Sequence, residues 1–466
     1  MSEVAQLRRR LHARPELGFL EIETAALVIS ELAGIVDDVS FGQAVCDLSD
    51  ARGLPGDEEF RAARERALGS GVPPELVEAL GSGATGVVAR VSGDRPGPVI
   101  AIRCDMDALP VTESADRDHL PSREGFASRH HGVMHACGHD GHVAIGIDLL
   151  KRLAGDRRFA GEVRVVFQPA EEGVRGAATM VAAGALDDVD VVLGVHLGIG
   201  LPLGTVATAV HGMMATEKWK VELVGRGAHA SLAPAEGRNA LLGAAAAATA
   251  LHALPPESGS VTRVNVGRLV AGTASNIIPE RALMECEIRA DDGAVLERVA
   301  ARGRTVVAGA AAMHALECRV AVTGAAPVAR CDDDVADALA VAGGGRRRAC
   351  PPHHRHDSER RRHRDDAARA GTGWAGDVRG RGGFEPGAAP PPVFRRGRAS
   401  AHHGGGLARA RDQARGLILQ VYHSVICHPP RVRSRRPAPA PRSRRTSGSR
   451  SSSSRTACRQ VQNCGR

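Results

Sequence analysis

Between Met134 and His142 the chain reads M-H-A-C-G-H-D-G-H. Cys137 and His139 stand two residues apart in a Gly-containing loop, ahead of a helical apolar stretch. A thiolate and an imidazole so placed can bind one or two metal ions. F-Q-P-A-E-E-G, from Phe167 to Gly173, sets Glu171 and Glu172 side by side after an apolar strand. Adjacent carboxylates are costly to leave unpaired there. One can ligate a metal while its neighbour takes a proton from water. G-V-H-L-G closes another apolar run on His196. I-R-C-D-M-D-A-L-P offers Asp105 and Asp107, carboxylates of the kind that orient metal-bound imidazoles, with Cys104 as buried structure beside them. Each string alone has a plain structural reading: a buried Cys, a solvated loop, a core histidine, a backbone-capping Asp pair. Together they place Cys, His, Glu and His beside sheet edges, and that convergence points to a metal site.

A second group lies further on. G-R-G-A-H-A-S contains His229, S-N-I-I-P contains Asn276, and Arg289 ends the strand that follows. An imidazole, an amide and a guanidinium can hold an oxyanion and a carboxylate. G-R-G-A is not a phosphate loop, because no Lys and no helix-opening Ser or Thr follows it.

These residues need a scaffold. Leu7–Leu32 has helical spacing broken at Pro15, and residues 42–83 are polar with helical patches. Strand-like runs at Gly86–Val91, Val99–Ile102, Val163–Phe167 and Val191–Val195 alternate with a helix near His142–Leu153. The alternation predicts an α/β fold with a mostly parallel, buried sheet flanked by helices. Its polar residues cluster just after strand C-termini, where such sheets place their sites. From about Ala209 the pattern becomes β-α-β-β-α, with strands at Lys218–Val224, Val261–Val266 and Ala282–Ile288. It predicts an inserted α+β domain. The division is 1–208 for the first part of a catalytic domain, 209–321 for the insert, 322–342 for the start of a returning segment, and 343–466 for a tail.

Charge divides the same way. Residues 343–466 hold 28 Arg and no Lys against seven acidic residues, a net of +21. Residues 1–342 hold 33 basic and 46 acidic residues, a net of −13. The overall +8 therefore describes neither part, and it does not call for a nucleic-acid partner. Aromatics at 2% argue against base-stacking platforms, and the Arg-rich tail lacks aromatic interleaving. No signal peptide and no run of about 18 apolar residues is expected, so no membrane partner is either. Ten scattered Cys fit a reduced, cytoplasmic protein. By composition the Arg/Pro/Ser-rich tail is disordered.

The motifs, in this order over about residues 5–340, resemble the dinuclear metal-dependent amidohydrolase and peptidase family of aminoacylases, hippurate hydrolases and auxin-conjugate hydrolases. L-R-R-R-L-H-A-R-P-E-L-G-F, D-M-D-A-L-P, M-H-A-C-G-H-D-G-H, F-Q-P-A-E-E-G, G-A-H-A and N-I-I-P carry the likeness. Further segments resemble the branch formed by the A-type chains of p-aminobenzoyl-glutamate hydrolases: R-G-L-P-G-D-E-E-F, R-E-G-F-A-S, M-M-A-T and S-V-T-R-V-N-V-G. The resemblance implies an inserted lid and dimerisation domain and two divalent ions, manganese or zinc. Cys137, His139, Glu172 and His196 would be metal ligands, with Cys137 as the bridge. Glu171 would be the general base, Asp107 would orient His139 or its neighbours, and His229 would reach a neighbouring protomer's oxyanion. Asn276 and Arg289 would contact substrate carboxylates. The implied reaction is hydrolysis of p-aminobenzoyl-glutamate, a folate breakdown product, or more generally of an N-acyl amino acid. The implied assembly is a homodimer, or a heterodimer with a homologous B subunit.

The chain departs from that pattern after the lid. The family supplies one more His ligand there, with a G-S-E-D-A-T-like segment and a His-His pair before F-D-x-D-E. His402 and His403 are followed instead by Gly404 to Gly406, and His353, His354 and His356 also lack the right surroundings. Back-translated with chosen, mostly GC-rich codons and reread one nucleotide later, S-E-R-R-R-H-R-D-D-A-A-R-A can give R-S-E-D-A-T-V-M-T-R-R-V-Q. P-P-P-V-F-R-R-G-R can likewise give H-H-P-F-F-D-V-D-E, so the tail is compatible with the family's segments in another frame. The expectation is a frameshift near residues 340–355, a missing ligand, and a weakened or inactive centre.

Overall fold

The computed structural model describes residues 1–197 and 206–343, with the backbone of 420–422. The chain opens with α1 (Glu3–His12) and α2 (Ile22–Leu32). Between them the P-E-L turn buries Glu16, whose carboxylate accepts the N–H groups of Glu23 and Thr24. That closes the unpaired start of α2. β1 (Asp38–Phe41) follows, and the polar stretch then folds as α3 (Asp57–Gly69) and α4 (Pro74–Leu80). Arg66 of α3 reaches Glu16 and Glu23, tying this excursion to α2.

Next come β2 (Val87–Ser92), β3 (Arg95–Asp105), α5 (Leu120–Arg123) and α6 (His139–Gly155). β4 (Ala160–Gln168), α7 (Gly176–Ala182) and β5 (Val191–His196) complete the first half. The second half holds β6 (Ala215–Val224), α8 (Ala240–His252), β7 (Thr262–Ala271) and β8 (Arg281–Ala290). It ends with α9 (Gly293–Met313), β9 (Glu317–Ala326) and α10 (Asp333–Ala342). A short strand, β10 (Gln420–Tyr422), lies within the tail.

The first sheet has the order β1-β2-β4-β3-β5-β10. β3 pairs in parallel with both β4 and β5, which is the α/β core that the alternating pattern predicts. β1 and β2 join antiparallel at one edge, and β10 lies antiparallel on β5. Apolar side chains on both faces drive this layering. Ile22, Val28, Ile147, Leu150 and Phe167 pack on the helix-covered face, and Val88, Ala101, Val166 and Met180 on the other.

The second sheet, β7-β8-β6-β9, is antiparallel throughout. α8 and α9 cover one face around Trp219, Val221, Met284 and Ile288, all buried. The expected β-α-β-β-α pattern thus gains a fourth strand. β9 reads E-C-R-V-A-V-T-G-A-A, and its Gly324 and Ala residues leave little apolar alternation to read. It runs to Ala326, paired with Thr216, past the boundary at 321 that sequence pattern placed. Gly324 lies so close to the carbonyl of Gly173 that a Cβ there would meet its oxygen. Apart from β10 and Gly343, the expectations for the tail lie outside the described residues. No described helix is long and apolar enough to cross a membrane.

Candidate metal centre

The three parallel strands end at one rim. β3 ends on Asp105, with Asp107 just beyond. β4 leads into the Glu171–Glu172 turn, β5 ends on His196, and α6 starts there at His139. Gly138, at φ 84°, is the residue before α6. That left-handed conformation is costly for a residue with a Cβ, and it lets the chain turn sharply between Cys137 and His139.

Asp107 organises the rest. Its two carboxylate oxygens accept the N–H groups of Glu171 at 2.9 Å and Glu172 at 3.0 Å. Its carbonyl accepts the Nδ1–H of His139 at 2.7 Å. The carboxylate turn is strained at both ends, with Ala170 at φ 50° and Val174 at φ 57°. Buried Glu21 holds the first of these by accepting the Ala170 N–H at 2.8 Å.

Hydrogen bonds also set the imidazole tautomers. A carbonyl only accepts, so His139 carries its proton on Nδ1 and presents Nε2 to the cluster. His196 does the same: Nδ1 donates to the Leu197 carbonyl at 2.8 Å, and Nε2 lies 3.5 Å from Cys137 Sγ. His142 is different. Its Nε2 accepts the Leu197 N–H at 2.9 Å, so its proton sits on Nδ1, 3.6 Å from Asp105. In that tautomer His142 faces Asp105 as a donor and offers no free lone pair.

Cys137, His139 and His196 bring their ligand atoms within 4.8 Å of one another, and so do His139, Glu171 and Glu172. His139 Nε2, Glu171 Oε2 and Glu172 Oε1 are buried and form no hydrogen bond. Orphaned acceptors at that depth are rare unless something fills the gap. Burial lowers the His139 pKa, but Asp107, Cys137 and Asp105 raise it well above the ordinary imidazole value. The surroundings therefore demand positive charge. Burial pushes the Glu171 carboxyl up, with Asp105 adding to it, and pushes the Cys137 thiol up to about 11. Burial, then the His142 charge, pulls His196 down to about 3, which keeps its ring neutral. A thiol, two rings presenting Nε2 and two carboxylates around orphaned acceptors fit a divalent cation.

Not every expected residue joins this cluster. His229 is exposed, and its Nδ1 accepts the N–H groups of Ser231 and Leu232 at 3.3 Å each. Its Nε2–H therefore points away as a donor. Asn276 shares that corner, its carbonyl accepting the Ala230 N–H, and neither residue hydrogen-bonds to the cluster among the described residues. Arg289 grips Glu287 with two contacts of 3.0 Å.

Sequence reasoning assigned no part to Arg103, His142 or Lys218. Arg103 lies 2.5 Å from Asp105 and 3.7 Å from Glu171. Lys218 of β6 donates to the Glu172 carbonyl at 2.8 Å. His142 follows His139 by three residues, a spacing that puts both on one helix face and was readable beforehand. Arg103 and Lys218 carried no such signal, because strand pairing and the packing of the second sheet bring them there.

Residues 101–348 match the family model "Peptidase family M20/M25/M40". The chain belongs to that family. Indole-3-acetyl-aspartic acid hydrolase of Enterobacter agglomerans is 44% identical over 329 residues, 70% of this chain and 75% of its own length. One of the chains of p-aminobenzoyl-glutamate hydrolase from Escherichia coli strain K12, its A-type chain, is 42% identical over 325 residues, covering 70% and 74%. Among solved structures, the aminobenzoyl-glutamate utilization protein of Klebsiella pneumoniae superposes with a TM-score of 0.61 at 40% identity, covering 72% and 79%. The chain is thus a member of a family of metal-dependent amidohydrolases, and its cluster supplies the donor groups that such chemistry needs.

Proposed function

We propose that this chain hydrolyses the amide between an aromatic acyl group and a dicarboxylic amino acid, p-aminobenzoyl-glutamate first among them. The names of two relatives support this class, since each joins an aromatic acyl group to aspartate or glutamate. The carrying observation is the Cys137–His139–Glu171–Glu172–His196 cluster, buried at His139, Glu171 and His196, with its orphaned acceptors. Cys137, His139, Glu172 and His196 would hold one or two divalent ions, manganese or zinc. Bound metal supplies Lewis acidity at the amide carbonyl and acidifies water. Glu171, whose raised pKa suits proton transfer near neutrality, takes a proton from the attacking water and returns it to the departing amine. Asp107 holds Glu171, Glu172 and His139 in register through their N–H groups. The outward Nε2–H of His229 donates to the oxyanion in a neighbouring protomer's site, and Asn276 and Arg289 meet the substrate's α-carboxylate. The assembly is a homodimer or a pair with a homologous B subunit, in the cytoplasm.

One observation favours a weakened version of this enzyme. The family match stops at residue 348, and the two curated relatives match over about three quarters of their own lengths. That agrees with a frameshift near residues 340–355 and the loss of the last His ligand. We infer one firmly held ion, a weakly held second, and slow turnover. The test is metal analysis of the purified chain with hydrolysis of p-aminobenzoyl-glutamate and of hippurate. Bound metal with preferred cleavage of the glutamate conjugate is expected. Absence of metal would overturn the centre, and preferred cleavage of hippurate would favour a general N-acyl-amino-acid hydrolase.

A further inference from the structure

We propose that Lys218 is a specificity-determining residue that pairs with the side-chain carboxylate of a dicarboxylic leaving group, the group that glycine conjugates lack. The inference rests on the amidohydrolase reading above and deepens it. Lys218 stands on the uncovered face of the second sheet, opposite Glu287, while its neighbour Trp219 points into the core under α8 and α9. Its ammonium reaches the first domain and donates to the Glu172 carbonyl at 2.8 Å, at the turn that carries the candidate base and ligand. An ammonium has three donors, and this contact uses one.

The neighbouring cations are already engaged. Arg103 is paired with Asp105. Arg289 has both arms of its fork on Glu287, as a substrate carboxylate would engage it. Arg175, on the carboxylate turn itself, is directed to the Gly53 carbonyl and lies over the Phe19 ring. Lys218 makes no ion pair within 4 Å among the described residues, although the charges of Glu287, Glu171 and Glu172 act on it. It is a half-buried ammonium with spare donors beside the scissile-bond machinery. The α-carboxylate that every such conjugate carries takes one cation, and it would do so at Arg289, assigned above with Asn276, by displacing Glu287 from the Arg289 fork. A dicarboxylate needs a second, and Lys218 is the cation positioned and free to supply it.

The experiment measures dissociation constants by calorimetry for the full chain, with p-aminobenzoyl-glutamate and p-aminobenzoyl-glycine as probes. Every chain compared, the one with Lys218 included, carries Glu171→Gln, so that the conjugates stay uncleaved and the heat read is that of binding. The chain with Lys218 is expected to hold the glutamate conjugate about tenfold tighter or more, the scale of one charge-assisted contact. Lys218→Met should remove that preference and leave the glycine conjugate within about twofold, and Lys218→Arg should restore part of it. Unchanged melting temperatures would exclude misfolding of the variants. Equal weakening of both ligands, or no change, would overturn the inference and leave the amidohydrolase reading standing. Equal affinity of the chain with Lys218 for both would do the same. Failure of that chain to bind either conjugate would remove the substrate class and the inference with it.

Discussion

At the scale of single residues, the cluster separates into groups that offer lone pairs and groups that hold them in place. Hydrogen-bonded tautomers make the division. His139 and His196 spend Nδ1–H on carbonyls and turn Nε2 toward the cluster, that of His196 against Cys137, whereas His142 spends Nε2 on the Leu197 N–H. His196→Ala is therefore expected to lose most bound metal by elemental analysis, and His142→Gln to retain it. Equal losses would place His142 among the ligands. Glu171→Gln should keep the metal and lower turnover about a hundredfold to ten-thousandfold, the range of positioned general acid–base groups. A smaller loss would assign the proton transfer elsewhere.

At the scale of elements, α6 is held at its first turn by a polar network. Asp140 accepts from His12 at 2.8 Å and pairs with Arg8, and the far side of His12 meets Glu113 at 2.9 Å. Burial lowers the His12 pKa, but the hydrogen bonds and charges of Asp140 and Glu113 prevail and raise it above 6.5. A raised folded-state pKa contributes stability that is complete below the unfolded value and fades as pH rises through the folded one. The stability difference between wild type and His12→Gln should therefore be larger near about pH 6 than near about pH 9, measured by denaturant titration. A pH-independent difference would mean that the ring acts only through packing. The turn before α6 makes its own demand. Gly138→Ala forces a Cβ into the left-handed region and should cost about 1 kcal/mol or more, read from the same titrations.

At the scale of the whole molecule, two opposite charges share one chain. The overall +8 is an acidic body at −13 and a tail at +21. Under the frameshift proposed above, restoring the frame near residues 340–355 would supply a last His ligand and the F-D-x-D-E segment. Metal stoichiometry is then expected to rise from about one to about two ions per chain, the number that a dinuclear centre holds, with faster turnover. Unchanged stoichiometry after repair would dissociate the tail from the centre. The repaired chain should also become acidic overall, which isoelectric focusing would show.

Most of the centre was legible in residue types and spacing. Cys137, His139, Glu171, Glu172, His196 and Asp107 all announce themselves, because each sits just beyond a strand or at a helix start with chemistry that burial alone does not explain. The parallel core was legible too, since strands buried on both faces write continuous apolar runs. β9 was not, because its small residues hide the alternation. Nor were Arg103, His142 or Lys218 as working groups. A cation's role depends on which carboxylate lies within a few ångströms of it, and a ring's role depends on which nitrogen a distant N–H or carbonyl occupies. Those are properties of neighbours far apart in sequence. The sequence by itself determined the family, the residue types that meet in the cluster and the opposite charges of body and tail. Only the tertiary structure decided which imidazole nitrogens face the cluster, that Glu287 fills the Arg289 fork, and that Lys218 hydrogen-bonds to the carboxylate turn while making no ion pair among the described residues.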